Sequence, residues 1–189
     1  MNLTNIKKIL NIPPKHGTNN TKCYLGSTIS SFMFDGQLNK TVFSKIETKL
    51  KKKCKLDDIP YQLFNEYCYN NFIYYTNGKN DKLHTLEPIN TIYLSKNKTN
   101  IDVKITHYNQ HDHDTHQFNC QHKYHNTQPF LIGSLKINEN IFIKLRKNLF
   151  KYDLKSDISS YQIFIEIKWE NIKPEYFNIV SKVLYDVVN

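Results

Sequence analysis

The sequence predicts an α+β fold: a curved or closed antiparallel β-sheet, barrel-like, with two amphipathic helices packed against it. Three observations lead there. Segments with apolar–polar alternation outnumber segments with helical spacing. They follow one another through connections short enough for antiparallel pairing. Two further segments, at 42–54 and 177–188, carry apolar stripes at three- and four-residue spacing. A length of 189 residues suits one domain.

Residues 1–20 are polar, with Pro13-Pro14 and Asn19-Asn20, and read as a flexible lead-in to a single domain over 21–189. From Tyr24 to Phe34 the run YLGSTISSFMF reads as one strand closing at Asp35-Gly36. Val42, Phe43, Ile46, Leu50 and Cys54 then define a helix with lysines on its other face, capped by Asn39 or Thr41 and ended by Asp57-Asp58 and Pro60. Tyr61 to Tyr75 is aromatic-rich, with a strand from about Leu63, and Asn77-Gly78 is a hairpin turn. Strands follow at Ile89 to Leu94 and through Ile101, Val103 and Ile105. Residues 107–128 are rich in His, Asn and Gln and read as a loop insertion. The last third is the most regular: strands from Phe130 to Ile137, through Ile141, Ile143 and Leu145, and through Ile163, Ile165, Ile167 and Trp169. Pro174 suits a first helical position, and Phe177, Val180, Leu184, Val187 and Val188 form one stripe behind it.

The formal charge is +9, yet Asn, Lys, Ile, Tyr and Phe together supply 93 of the 189 residues, alanine is absent, and Arg146 is the only arginine. That is the composition of an AT-biased genome, so the lysine excess is a weak signal for nucleic acid, whose readers favour arginine forks. Direct nucleic-acid binding is not expected. No apolar run spans a bilayer or resembles a signal peptide, so membrane association is not expected either. Cys23, Cys54, Cys68 and Cys120 show no CxxC pairing and read as free thiols.

Four patterns bear on chemistry. His107, His111, His113, His116, Cys120, His122 and His125 cluster in the polar stretch, but HDHDTH transposes the aspartate of the HxHxDH zinc pattern and lacks a rigid frame, so no metal site is expected. The triplets His16-Thr18, His113-Thr115 and His125-Thr127 lack the following apolar strand residue that would aim them into one pocket. Tyr67, Tyr69, Phe72, Tyr74 and Tyr75 offer rings for base stacking, though packing is the commoner use. Tunnel-type RNA triphosphatases place Glu-x-Glu pairs on two strands of an antiparallel barrel, and hard cations need several oxygens. Here Glu47-Thr48-Lys49 and Glu166-Ile167-Lys168 offer one carboxylate each, and Glu47 falls in a helix. Lys144, Arg146 and Lys168 are the basic groups placed inward. No catalytic residue, metal ligand or cofactor is expected, and the chain does not read as an enzyme.

Over residues 23–75 and 129–188 the chain resembles subunit 18 of the Mediator complex, a family sharing the triphosphatase barrel without its catalysis. Tyr24-Leu25-Gly26-Ser27 is similar to the opening strand, the helix at Ile46, Leu50 and Cys54 to the helix that follows, and Glu66 falls where a strand acid is expected. FLIGSLKINENIFIKLRKNLFKY, with Gly133, Lys144 and Lys151, resembles the Gly-containing and basic-apolar strands. YQIFIEIKW and the 177–188 helix resemble the closing strand and helix. TIYLSKNKT lacks the Arg-Tyr pair usual in the family's middle strand. Mediator subunit 20 has a related barrel. The resemblance implies a non-catalytic nuclear subunit that pairs with subunit 20, captures a helix of subunit 8 and engages RNA polymerase II. The alternatives are a tunnel-type RNA 5′-triphosphatase with a degenerate active site and a basic nucleic-acid-binding module. With Ile163, Ile165 and Ile167 facing inward, Phe164 would point outward. Phe164, Tyr176 and Tyr185 are then the candidate partner-binding residues. A triphosphatase-type lumen would instead bring two carboxylates and several bases together.

Overall fold

The computed structural model describes residues 18–30, 33–69, 72–77, 82–94, 101–113, 126–149, 158–169 and 175–188. Among the described residues there are nine strands: β1 (Asn20–Ser30), β2 (Met33–Asp35), β3 (Tyr61–Tyr69), β4 (Phe72–Thr76), β5 (Lys82–Leu94), β6 (Asp102–His113), β7 (Asn126–Lys136), β8 (Ile141–Leu149) and β9 (Ile158–Lys168). The same residues hold two helices, α1 (Lys40–Cys54) and α2 (Glu175–Val188). The sheet runs β2-β1-β6-β5-β4-β3-β7-β8-β9, and β1 also pairs with β9, which closes eight of the strands into an antiparallel barrel. Closure leaves the main wall without a free edge, with only short β2 added beside β1.

Both expected helices form. Asn39 caps α1 by accepting the Val42 amide at 2.9 Å. At the other end Lys55 takes the left-handed conformation (φ 53°), which ends the helix before Asp57-Asp58. Lys51, Lys52 and Lys53 sit in the last turn, where the helix dipole favours positive charge. Phe43, Ile46 and Leu50 are buried, as are Val180, Val183 and Leu184 of α2. Lys53 and Asp186 form an ion pair between the helices.

The core lies outside the barrel. The stripes of α1 and α2 pack with Cys23 and Leu25 of β1, Val103 and Ile105 of β6, Ile141, Ile143 and Leu145 of β8, and Ile163, Ile165 and Ile167 of β9. Phe43 meets the Tyr161 ring at 4.8 Å between centroids. This inverts the expected sidedness of β9: its isoleucines face outward beneath the helices, and Phe164 faces the lumen. The physical reason is that two amphipathic helices need an apolar sheet face, and the barrel's exterior is the only face they can reach.

Four further expectations change. The run from Tyr24 to Phe34 is a hairpin of β1 and β2, with Thr28 opposite Phe34. Tyr61 to Tyr75 holds two strands, β3 and β4, paired through Tyr67 and Tyr74. The 82–94 strand begins well before Ile89 and absorbs an irregularity at Pro88/Asn90. Residues 107–113 and 126–128 are strand, because each pairs with a neighbour; the rest of the His-rich stretch, like Pro174 and residues 1–17, lies outside the described residues. Cys23 and Cys54 are free thiols, and burial pushes Cys23 up to about 12.

Two glycines are required by close approach. A Cβ on Gly26 would overlap the Asp35 carbonyl oxygen of the neighbouring hairpin strand, and one on Gly133 would stand 2.6 Å from Ile59 Cγ2. Backbone cannot yield as a side chain can. Gly26→Ala is therefore expected to lose ~3 kcal/mol in urea denaturation, near the upper end of overpacking costs, and Gly133→Ala less.

Candidate functional site

Strand pairing assigns the lumen-facing set. Directly opposed residues project to the same face of a sheet. Lys22 opposes Glu166, and Tyr24 opposes Phe164. Lys144 opposes Phe164 and Arg146 opposes Gln162, so β8 contributes its basic residues to the same side. Continuing around the wall, Arg146 opposes Ile132, Phe64 opposes Phe130, Glu66 opposes Tyr75, and Ile73 opposes His84. His84 opposes Asp112, and Asn20 opposes Tyr108, which returns the circuit to β1. The outward face of the same strands is apolar beneath the helices and polar along the far end of β6, at His111 and His113. The inward face is a ring of charge and aromatic surface.

One centre joins β3 to β8 inside the wall. The Arg146 guanidinium donates to both Glu66 carboxylate oxygens, at 2.7 and 3.1 Å, and its Nε donates to Asn148 Oδ1 at 2.6 Å. It also lies 3.9 Å from the Phe130 ring centroid. Phe130 stacks on Phe64 at 6.0 Å and meets Tyr75 edge-on at 5.7 Å. Burial opposes the Arg146 charge, but the Glu66 hydrogen bonds and charge outweigh it, so the guanidinium is held more firmly protonated.

The second centre lies between β1, β9 and β8. Asn20 Nδ2 donates to Gln110 Oε1 at 2.8 Å and to Glu166 Oε1 at 3.2 Å. Lys144 Nζ stands 3.9 Å from Glu166. Lys22 Nζ lies 5.8 Å from both the Tyr108 and Phe164 ring centroids, and the residue is 7 % exposed. Burial lowers the Lys22 and Lys144 pKa values, and the Glu166 charge only partly counteracts this. For Glu166, burial would raise the pKa, but Lys22, Lys144 and the Asn20 hydrogen bond win, and it is held below the usual carboxylate range. Two polar atoms facing this lumen are buried without a partner, Asn20 Oδ1 and His84 Nε2.

His84 gives the site a measurable acid response. Burial, and after it the Lys22 charge, lowers its imidazole to about 4, against the upward pull of Asp112 and Glu166. In the unfolded chain histidine titrates near ~6.5. Between these values the unfolded chain takes up a proton that the folded chain refuses. Stability is thus fully present above pH ~6.5 and is lost as pH falls towards about 4. The full window corresponds to ~3 kcal/mol. His107, lowered by burial on the outer face, adds to the same limb. His84→Leu is therefore expected to lose less stability than the parent between pH 7 and 5 in urea titrations. Parallel curves for the two proteins would contradict the assignment.

The expected site residues fare unevenly. Phe164 is not an outward anchor: its ring lies 5.4 Å from Tyr24 inside the barrel. Tyr185 is exposed on α2, and the side chain of Tyr176 lies outside the described residues. Lys144 and Arg146 do point inward. Lys168, opposite Asn20, lies on the same inward side but exposed at the barrel's rim near the Phe142 ring, and Glu47 lies on α1, accepting a hydrogen bond from Tyr61 at 2.6 Å. Of the histidine cluster, His107 is buried against Trp169 on the outer face, while His111 and His113 are exposed. Tyr67 and Tyr74 pair as rings at 5.7 Å, and Tyr75 packs on His84 at 5.2 Å. Lys22 and His84 were not legible as site residues. Glu66 was, through the strand acid expected there.

A hard divalent ion does not fit this donor set. Both Glu66 oxygens face Arg146, and Glu166 is shared by Asn20 and Lys144 with Lys22 opposite. Among the described residues no group of three His, Cys, Asp or Glu side chains is placed to hold a metal.

No family model matches the chain, and no curated protein matches it in sequence. Its fold is similar to solved structures. The S. pombe RNA triphosphatase Pct1 superposes with a TM-score of 0.64 at 9 % identity, covering 98 % of this chain and 88 % of that one. The mimivirus capping enzyme triphosphatase gives 0.53 at 11 % identity, covering 98 % and 96 %. The chain is thus a closed eight-stranded antiparallel barrel resembling the tunnel-type RNA triphosphatases.

Proposed function

We propose that this barrel is a non-hydrolysing counterpart of the tunnel-type RNA triphosphatases, a protein that binds a phosphate-rich anion such as the 5′-triphosphate end of RNA in its lumen. The observation that carries the reading is the convergence of Lys22, Lys144 and Arg146 with Glu66 and Glu166 inside a barrel of that fold. Charged groups with their solvation replaced by a fixed polar interior recognise anions without further movement. Hydrolysis is a different matter, because the donor set does not suit a divalent ion. The test is fluorescence anisotropy with one RNA oligonucleotide carrying either a 5′-triphosphate or a 5′-hydroxyl. The triphosphate form is expected to bind at least tenfold tighter; equal binding would overturn the reading. Robust manganese-dependent release of γ-phosphate, abolished by Glu166→Ala, would overturn its non-catalytic part.

A second reading follows the resemblance to Mediator subunit 18: an assembly role in the nucleus with subunit 20, subunit 8 and RNA polymerase II. The exposed side chains of Ile29, Met33 and Tyr185 are the observation on its side. Co-purification of a stoichiometric heterodimer with a subunit 20 chain, weakened by Tyr185→Ala without a fall in melting temperature, would favour it.

A further inference from the structure

We propose that Lys22 is the resident cation of the lumen and supplies the charge that a divalent ion would otherwise bring, so that this barrel binds its phosphate-class anion without metal. The inference rests on the anion-binding reading above and adds how the charge is supplied. Lys22 is directly opposed to Glu166 across β1 and β9, beside Lys144, and close enough to Glu66 and Arg146 on the far side to feel both charges. Lys22 as a residue is more than nine-tenths buried, yet its ammonium is in none of the ion pairs formed among the described residues. The ring faces of Tyr108 and Phe164 are its neighbours instead.

Burial outweighs the pull of the Glu166 and Glu66 charges on Lys22, and the aromatic faces beside it add little, so this buried cation is under-compensated. A phosphate oxygen would supply the missing charge-assisted hydrogen bonds. The same lumen holds His84 Nε2 without a partner, and a neutral imidazole protonated at that nitrogen would donate to the anion. Asn20 Oδ1, also unpartnered, would accept from water carried in with it. The carboxylates do not compete for the ligand, because Arg146 occupies Glu66, and Asn20 and Lys144 engage Glu166. Burial that lowers the Lys22 pKa means that its charge costs the empty fold stability. Function and stability therefore pull in opposite directions at this one residue.

The experiment is isothermal titration of the full chain with sodium tripolyphosphate, once in EDTA and once in manganese, with melting curves for every variant. The parent is expected to bind in EDTA, with no gain from manganese. Lys22→Met should lose at least tenfold in affinity in EDTA while its ligand-free melting temperature stays equal or rises. Lys22→Arg should retain metal-free binding, which separates charge from packing. Lys22→Glu would set a second carboxylate beside Glu166 and should gain thermal stabilisation by manganese that the parent lacks. Parent binding that appears only with manganese would overturn this inference and leave the anion-binding reading standing. Binding in EDTA that survives both Lys22→Met and Lys22→Glu would overturn the role of Lys22. No binding in either buffer would overturn the anion-binding reading itself.

Discussion

Replacing Arg146 with methionine is expected to destabilise the barrel by ~3–5 kcal/mol, the cost of leaving one member of a buried ion pair uncompensated. Arg146 and Glu66 are only 12 % and 17 % exposed, and the pair is bidentate. Methionine would keep much of the volume against Phe130 but abandon Glu66 inside the wall, with no ion-pair partner among the described residues and only the longer-range charge of Lys22. Arg146→Lys keeps the charge but loses the fork, and an intermediate loss is expected. The informative control is Glu66→Gln combined with Arg146→Met, which removes both charges and should recover a large share of the loss. Urea denaturation of the four proteins gives the cycle. A loss under ~0.5 kcal/mol for Arg146→Met, typical of surface sites, would mean the pair is solvated and the lumen open at that level.

The second large effect tests which face of the barrel is dry. Ile165 is 1 % exposed and lies beneath the helices with Ile163, Ile167, Ile143 and Cys23. Ile165→Ala should cost ~2–5 kcal/mol, the range for emptying a packed core position. Leu63, also outward but on β3, is 45 % exposed, and Leu63→Ala should stay within ~0.5 kcal/mol. Both residues face outward on strands of one barrel; only the helical cover distinguishes them. Equal losses at the two positions would contradict the two-layer arrangement.

Much of this fold could be read in the sequence because the relevant periods are short and local. Phe43, Ile46 and Leu50 recur at helical spacing, Asn39 stands at the right place to cap, and the alternation through Ile163, Ile165 and Ile167 defines a strand without ambiguity. Period two separates two faces but does not say which one turns inward. A sandwich or filled barrel would have put the isoleucines inside. The missing clue was in the partners: Lys144 and Arg146 occupy the same face as Phe164 and Glu166, and two apolar helical stripes had no other surface to cover. His107 to His113 read as a loop because the residues are polar, yet a strand between a charged lumen and solvent has no need of apolar alternation. Tyr61 to Tyr75 hid a hairpin because aromatic residues occupy both faces of β3 and β4. Lys22 was invisible among 25 lysines, since only its neighbours across the barrel make it unusual.

An inward-facing set of charges explains why the chain combines a small-barrel fold with so few apolar residues on alternate strand positions. The barrel does not need an apolar interior when its hydrophobic burial is achieved outside, between wall and helices. That leaves the interior free to carry Lys22, Lys144, Arg146, Glu66 and Glu166 close together, a concentration of charge that would weaken an ordinary core.

The most direct measurement is an anomalous-difference map from a crystal of the full chain soaked in selenate, a tetrahedral analogue of phosphate. A lumen built to bind an anion predicts an ordered selenium peak inside the barrel, within ion-pairing distance of Lys22 and Lys144. Its oxygens should also lie in reach of His84. Selenium peaks confined to the exposed lysines of α1, with the lumen closed by its own side chains, would contradict it.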